Sequence, residues 1–281
     1  MTTVADALRA AKALGLDRLD AQLLLGHVLA RPRSWLAAHD DAVLNDAQGA
    51  AVDAALARRA AGEPLAYIVG EHGFHGLMLR VDANVLVPRP DTEVLVDWAL
   101  ELLAGRADPR VADLGTGSGA IALAVKHACP AAAVTATDIS PAALAVARSN
   151  AERLGLAVTF ELGAWWAALE GRRFDLVLSN PPYIAGADPH LPALRHEPTL
   201  ALTPGGDGLD ALRDIISGAD PHLEPGGWLL LEHGFDQADA VQALLRDRGF
   251  SDIRTRRDLG GQPRCTGARR IPTRRGFDGV G

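Results

Sequence analysis

From Asp108 onward the chain alternates short apolar runs with helical segments, and this alternation constrains its fold more than any single motif. Apolar runs stand at 111–114, 134–137, 158–162, 176–179 and 228–232. The intervening spacing predicts helices over 120–128, 141–154, 209–219 and 237–248. Strands that alternate with helices imply a mainly parallel sheet covered on both faces. Two further strands, 252–256 and 264–269, are expected to finish that sheet as an antiparallel edge pair. The expected class is α/β.

The first eighty residues read differently. Apolar side chains recur at three- and four-residue spacing over 4–11 and 20–29, the signature of amphipathic helices. Asn45 or Asp46 is placed to cap a third helix running to Ala60, with Gly62 as its stop. No strand pattern appears before about Tyr67. Next, 73–76 and 77–81 suggest a short hairpin leading to Pro90 or Asp91, which opens a helix over 94–103. The expected organisation is therefore a helical domain over 1–70, a hairpin linker over 71–90 and an α/β domain over 91–281. His72 and His75 lie near that turn with no third ligand in sight, which favours a structural role over a metal site.

The 281 residues include 48% hydrophobic and 22% charged side chains, enough for a sizeable core and a charged surface. No stretch is long enough to span a membrane, and the N-terminus lacks the apolar core of a signal peptide. Cys129 and Cys265 form no Cys-x-x-Cys pair, which speaks against zinc or a disulfide framework. A cytoplasmic protein is expected. The net charge of −7 disfavours stable, nonspecific binding to nucleic acid. One local exception is the run Arg254, Arg256, Arg257, Arg264, Arg269, Arg270, Arg274 and Arg275. It reads either as a solvated strand face and tail or as a contact for an anionic partner.

Two motifs carry chemistry. The first is Gly115-Thr116-Gly117-Ser118-Gly119, between the first strand and first helix of the α/β region. Glycines allow a tight turn and let a ligand approach main-chain N–H groups. The spacing is shorter than the dinucleotide fingerprint Gly-x-Gly-x-x-Gly. Asp138, at the end of the next strand, is placed to accept hydrogen bonds from ribose hydroxyls. Ser140 and Pro141 behind it form a helix cap and first turn. The second motif is Asn180-Pro181-Pro182-Tyr183, after the strand 176–179. Two prolines fix their own backbone and push Asn180 toward an extended conformation. A stiff turn presenting one amide and one aromatic ring suits methyl transfer to a planar nitrogen. All of these residues fall at carboxyl ends of strands, the ligand edge of an open α/β sheet.

The combination resembles the S-adenosylmethionine-dependent methyltransferases that act on planar amino or amide nitrogens. Within that group the chain is similar to the peptide chain release factor glutamine methyltransferases, the HemK/PrmC family. The likeness extends over nearly the whole chain. It includes Gly62-Glu63-Pro64-Leu65-Ala66-Tyr67, Pro88-Arg89-Pro90-Asp91-Thr92-Glu93, Glu197-Pro198, Gly205-Gly206-Asp207-Gly208-Leu209 and Leu231-Glu232-His233-Gly234. The resemblance implies a Rossmann-like class I methyltransferase fold with a seven-stranded sheet, plus an N-terminal helical bundle that recognises the substrate.

It further implies that Gly115, Thr116, Gly117, Ser118, Gly119, Asp138, Trp165 and Asn180 hold S-adenosylmethionine. Asn180, Pro181, Pro182 and Tyr183 would hold the glutamine of a Gly-Gly-Gln motif in class 1 release factors. Asn180, Pro181 and Tyr183 are the expected catalytic residues, with Tyr183 walling the slot. The register between Trp165 and Trp166 stays open. The family usually places an acid before that tryptophan, whereas this chain has Gly163-Ala164. Glu197 and His196 are read either as lining the substrate entrance or as part of a loop network. Gly260-Gly261-Gln262 repeats the substrate tripeptide, and a chance match in a glycine-rich turn accounts for it. The rival activities are methylation of a ribosomal-protein glutamine and of an adenine amine in nucleic acid; the rival class is a non-catalytic cofactor-binding partner of translation.

Overall fold

The computed structural model describes residues 2–271, so Arg274 and Arg275 lie outside the described residues. The described residues fall into two compact units that divide between Glu71 and His72. No helix among them is long and apolar enough to cross a membrane.

The smaller unit contains five helices: α1 (Val4–Ala13), α2 (Arg18–Leu29), α3 (Arg33–Ala38), α4 (Asp46–Ala60) and α5 (Leu65–Val69). Local chemistry fixes the ends of the long ones. Thr3 and Asp6 form a reciprocal capping box on α1, and Asn45 and Gln48 do the same on α4. Each cap satisfies backbone N–H groups that a helix start otherwise leaves unpaired. Val4, Leu24, Leu25, Leu36, Val52 and Leu56 then close a common core. The sequence pattern misses α3 and α5. Both are shorter than two turns, too short for a 3.6-residue period to declare itself. Prolines at their starts, Pro32 and Pro64, were the available signal.

The larger unit opens with the hairpin β1 (Glu71–Phe74) and β2 (Leu77–Arg80), turning through His75 and Gly76 at positive φ. His75 Nε2 pairs with Asp97 at 3.0 Å. The hairpin belongs to this unit, where Asn150 bonds both the N–H and C=O of Arg80. A 3₁₀ turn, Pro90–Thr92, leads into α6 (Glu93–Leu103). Then follow β3 (Arg110–Leu114), α7 (Ala120–Ala128), β4 (Ala133–Asp138), α8 (Pro141–Leu154), β5 (Thr159–Leu162) and β6 (Phe174–Ser179). The chain continues through α9 (Thr199–Leu202), α10 (Asp210–Gly218), β7 (Leu223–Glu232), α11 (Ala238–Asp247), β8 (Ser251–Arg257) and β9 (Pro263–Arg269).

Seven strands form one sheet in the order β5-β4-β3-β6-β7-β9-β8. The first five run parallel, and β9 is antiparallel to both β7 and β8. Alternate side chains of a strand face opposite sides, and both sides here are buried. Val111, Leu176, Leu178 and Leu230 enter one core with α6 and α7. Ala112, Leu114, Val177, Leu229 and Leu231 enter the other with α10 and α11.

Strand β3 is the point from which the sheet grows in both directions, the usual place for a ligand crevice. Leu114 pairs with Thr137 on one side and with Ser179 on the other. The next residue on each of these three strands is therefore Gly115, Asp138 or Asn180. Three sequence-distant groups are brought to one edge by register alone.

Most of the arginine run is engaged within the unit. Arg256 pairs with Glu101 at 2.8 Å and lies over the Trp98 ring, 4.6 Å from its centroid. Arg264 pairs with Asp258 at 3.1 Å and Asp91 at 3.3 Å. Arg270, buried, pairs with Asp220 at 2.6 Å. Such partners favour the structural reading of this run. Gly260-Gly261-Gln262 lies in the β8–β9 turn, where Asp258 N donates to Gln262 O and Gln262 N donates to the Asp258 side-chain Oδ1, each at 2.9 Å.

Candidate active site

At the carboxyl edge of β3, β4 and β6 lies a cavity of about 360 Å³, within the size range of small-molecule sites. Gly115, Thr116, Gly117 and Ser118 line it, together with Asp138, Trp165, Asn180 and Pro182. Part of its wall comes from Pro88, Arg89 and Thr92, and another part from Pro198, Leu200 and Ala201.

The glycine turn is held from below. The N–H groups of Gly115 and Thr116 both donate to Thr137 O at 2.9 Å. Thr116 Oγ1 donates to Asp113 Oδ2 at 2.6 Å, and the N–H of Ala122 donates to the same oxygen at 3.2 Å. Asp113 is fully buried, and its Oδ1 has no hydrogen-bond partner among the described residues. Burial pushes its carboxyl up to about 7, against the downward pull of Thr116 and Ala122. Asp113 was not among the expected site residues; an acid inside an apolar strand was the signal for it.

Asp138 accepts from Gly117 N and Ser140 N, each at 2.9 Å. Its pKa is raised chiefly by burial. A carboxylate has about four lone-pair sites, so two backbone bonds leave capacity for a ligand hydroxyl. Ser140 caps α8 with Pro141 in its first turn, as the spacing indicates.

Trp165 and Trp166 are separated by the structure. Trp165 has a left-handed backbone, φ +46°, uncommon for a side chain of its size. Its ring lies against Gly115, where an added Cβ would stand 3.2 Å from Cζ3. Trp166 points elsewhere: its Nε1 donates to Ile215 O at 3.0 Å, and its ring stacks on His222 at 4.8 Å. The cavity tryptophan is Trp165.

Three expected residues do not line the cavity. Gly119 caps α7 at φ +84° and serves the turn's shape. The Pro181 ring is buried within its own turn, while its main-chain carbonyl accepts no hydrogen bond among the described residues. Tyr183 is turned inward: its ring packs against the core beneath α10 and α11, and its hydroxyl donates to Glu232 Oε1 at 3.2 Å. Tyr183, expected to wall the slot, is thus placed beside Glu232 and outside the cavity lining. A phenol buried this way satisfies its hydroxyl on a buried carboxyl instead of facing a ligand.

Glu197 is buried and accepts from Val87 N at 3.1 Å and from the Arg89 guanidinium. It ties the loop before α9 to the segment before α6, which favours the loop-network reading. Thr92 was missed as a site residue, although the motif containing it was noted. It receives Asn180 Nδ2 at 3.1 Å, and no sequence spacing links positions 88 residues apart.

Glu232, at the end of β7, is buried, and burial pushes it up to about 7. Thr92, Arg264 and Tyr183 pull in the opposite direction. Glu232 and Asp113 thus hold protons when folded at pH values where the unfolded chain, with ordinary values of 4.5 and 3.8, has lost them. Stability is expected to fall as pH rises from about 4.5 through 7. Glu232→Gln should flatten this slope in denaturant titrations; an unchanged slope would disprove the assignment.

The comparisons with known proteins agree with this architecture. The model of the PrmC N-terminal domain matches residues 1–70, and that of the methyltransferase small domain matches 92–237. The chain is 54% identical to the release factor glutamine methyltransferase of Bordetella pertussis, over 90% of this chain and 95% of that one. Its identity to the enzyme of that name from Xylella fastidiosa (strain Temecula1) is 50%, over 92% and 96%. In structure it is similar to a 16S rRNA methyltransferase of T. thermophilus solved in complex with AdoMet and guanosine. The TM-score is 0.55 at 20% identity, covering 71% of this chain and 49% of that one. That likeness concerns the fold, a Rossmann-like class I methyltransferase with a mainly parallel sheet. With sequence identity at this level over nearly the full length, the chain belongs to the release factor glutamine methyltransferase family.

Proposed function

We propose that the chain methylates the side-chain amide nitrogen of a glutamine, in the Gly-Gly-Gln motif of class 1 peptide chain release factors, using S-adenosylmethionine. The observation that carries this reading is the placement of Asn180 one step beyond Ser179, in the same cavity as the glycine turn and Asp138. The residues present suit that cofactor. Asp138 offers a carboxylate to ribose hydroxyls, Trp165 and Ile139 offer apolar surface to an adenine, and the turn at Gly115–Ser118 keeps side chains out of the way. S-adenosylmethionine supplies an electrophilic methyl group on a sulfonium.

The chain's own contribution is orientation. A glutamine amide nitrogen is a poor nucleophile because its lone pair is delocalised into the carbonyl. Asn180 Oδ1 and the Pro181 carbonyl are the proposed acceptors for its two N–H bonds, and no described hydrogen bond within the protein occupies either. Fixing the nitrogen in this way contributes several kcal/mol through positioning. Acceptors aimed at developing positive charge add an electrostatic share. The proton leaves after transfer, when the nitrogen is cationic and acidic, so no dedicated base is required. The helical unit is the proposed substrate-recognition domain, and the cytoplasm is the proposed location.

Incubation with labelled S-adenosylmethionine and purified release factors, followed by peptide mapping, tests this reading. Label is expected on the Gly-Gly-Gln glutamine. Label only on a ribosomal protein, on adenine, or nowhere would overturn it.

A further inference from the structure

Beneath Asn180 a short chain of polar groups runs from the cavity to a buried carboxyl. Asn180 Nδ2 donates to Thr92 Oγ1 at 3.1 Å. Thr92 is itself buried and lies close enough to Glu232 to favour its ionised form, and Glu232 Oε2 is left without a hydrogen-bond partner among the described residues, a free acceptor for the Thr92 proton. Glu232 Oε1 accepts from Tyr183 at 3.2 Å. The three groups come from the turn before α6, the tip of β6 and the end of β7, so their meeting is a product of the fold.

The hydrogen-bond inventory then fixes a direction. An ionised carboxylate only accepts, and a threonine hydroxyl has one proton to give. With that proton directed to Glu232, Thr92 can only accept from Asn180. The Asn180 amide must then place its NH₂ on Thr92 and leave Oδ1 for the cavity. Turned over, the same side chain would present N–H groups to the N–H groups of an incoming amide. An isolated asparagine has no strong preference between these two arrangements.

We infer that Thr92, oriented by Glu232, is a positioning residue for Asn180, holding its amide so that Oδ1 faces the substrate. This rests on the proposed amide-methylating function, since an acceptor is needed there only if the substrate nitrogen brings hydrogens. Glu232 faces Asp91, Thr92, Tyr183, Arg264 and Cys265. Thr92, Tyr183 and Arg264 favour its ionised form, Asp91 opposes it, and burial keeps the Cys265 thiol protonated. Below a pH of about 7 Glu232 gains a proton of its own to donate. Thr92 is then free to turn its hydrogen onto Asn180 Oδ1, and kcat is expected to fall.

Two variants of the full-length chain separate the hydroxyl from the packing. Thr92→Val removes the hydroxyl at constant shape and should lower kcat about tenfold, the scale of one net hydrogen bond. Calorimetric affinity for S-adenosylmethionine should stay unchanged, and the acid limb of the kcat profile should disappear. Thr92→Ser should retain kcat and the limb. A second readout needs no release factor. The Asn180 side-chain NH₂, followed by NMR, should resist solvent exchange in the wild type and Thr92→Ser and lose that protection in Thr92→Val. Equal protection in all three, wild-type kcat in Thr92→Val, or an equal loss in both variants would overturn the inference. Failure of the wild type to methylate release factors would instead sink the functional reading, with the NMR result still deciding the role of Thr92.

Discussion

Asn180→Ala is expected to lower turnover by roughly 10²–10³-fold, the usual effect of deleting one preorganised polar group at a reacting centre. The cofactor end of the cavity should be affected far less. Gly115–Ser118, Asp138 and Trp165 belong to β3, β4 and the segment after β5, and none of them hydrogen-bonds to Asn180. Binding of S-adenosylmethionine, measured by calorimetry, should therefore persist while methylation of release factor is lost. The substitution removes the only Asn180 contact to Thr92 found among the described residues, so the protein should remain folded. Near wild-type turnover would show that Asn180 does not hold the amide. Loss of cofactor binding together with turnover would assign it to the other ligand.

Gly208→Ala is expected to be among the most damaging small substitutions in the chain. Gly208 has φ +81°, a left-handed backbone that strains any residue with a Cβ. The added carbon would also be driven onto the Tyr183 carbonyl oxygen and to 3.0 Å from Ala185 N. This is where the chain behind the Asn-Pro-Pro-Tyr turn is fastened. Gln237 Nε2 donates to Tyr183 O at 3.0 Å, Ile184 N to Leu202 O at 3.0 Å, and Gly186 N to Gly206 O at 3.1 Å. Overpacking combined with backbone strain should destabilise the larger unit by about 3 kcal/mol. That corresponds to a fall in Tm of roughly 6–12 °C. Gly155→Ala provides the control, since Gly155 shares a positive φ but has nothing within 4 Å of the added carbon. It should cost about 1 kcal/mol. Equal losses for the two would mean that the clash at Tyr183 contributes nothing.

Where local chemistry decides structure, the sequence was enough. Ser140-Pro141 set the start of α8, and Asn45 with Gln48 set that of α4, because caps act through neighbours three residues apart. The glycine turn, Asp138 and Asn180 were legible for a similar reason: each directly follows an apolar strand. Strand β7 was less so. It begins at Leu223, five residues before the apolar run, through Pro225, Gly226 and Gly227, which carry no strand propensity. Its pairing with β6 shifts register there, so tertiary contact overrides local preference.

Contacts across long separations left no pattern to read. Thr92 with Asn180, Glu197 with Val87 and Arg89, and Asp220 with Arg270 are each more than forty residues apart. For Tyr183, proximity to the motif suggested the cavity, while packing against Leu-rich strands turns the ring toward the core, a tertiary contact with no local sequence signal.

The level ending of β3, β4 and β6 separates two kinds of evolutionary change. Exchanging the residue at a tip alters which chemical group meets the ligand and leaves the hydrophobic layers below untouched. Inserting a single residue within β6 would instead send every later side chain of that strand into the opposite layer, while pushing Asn180 beyond its companions. Diversification of activity on this chassis is thus confined to substitutions at the rim, and length changes are tolerated in the loops beyond it.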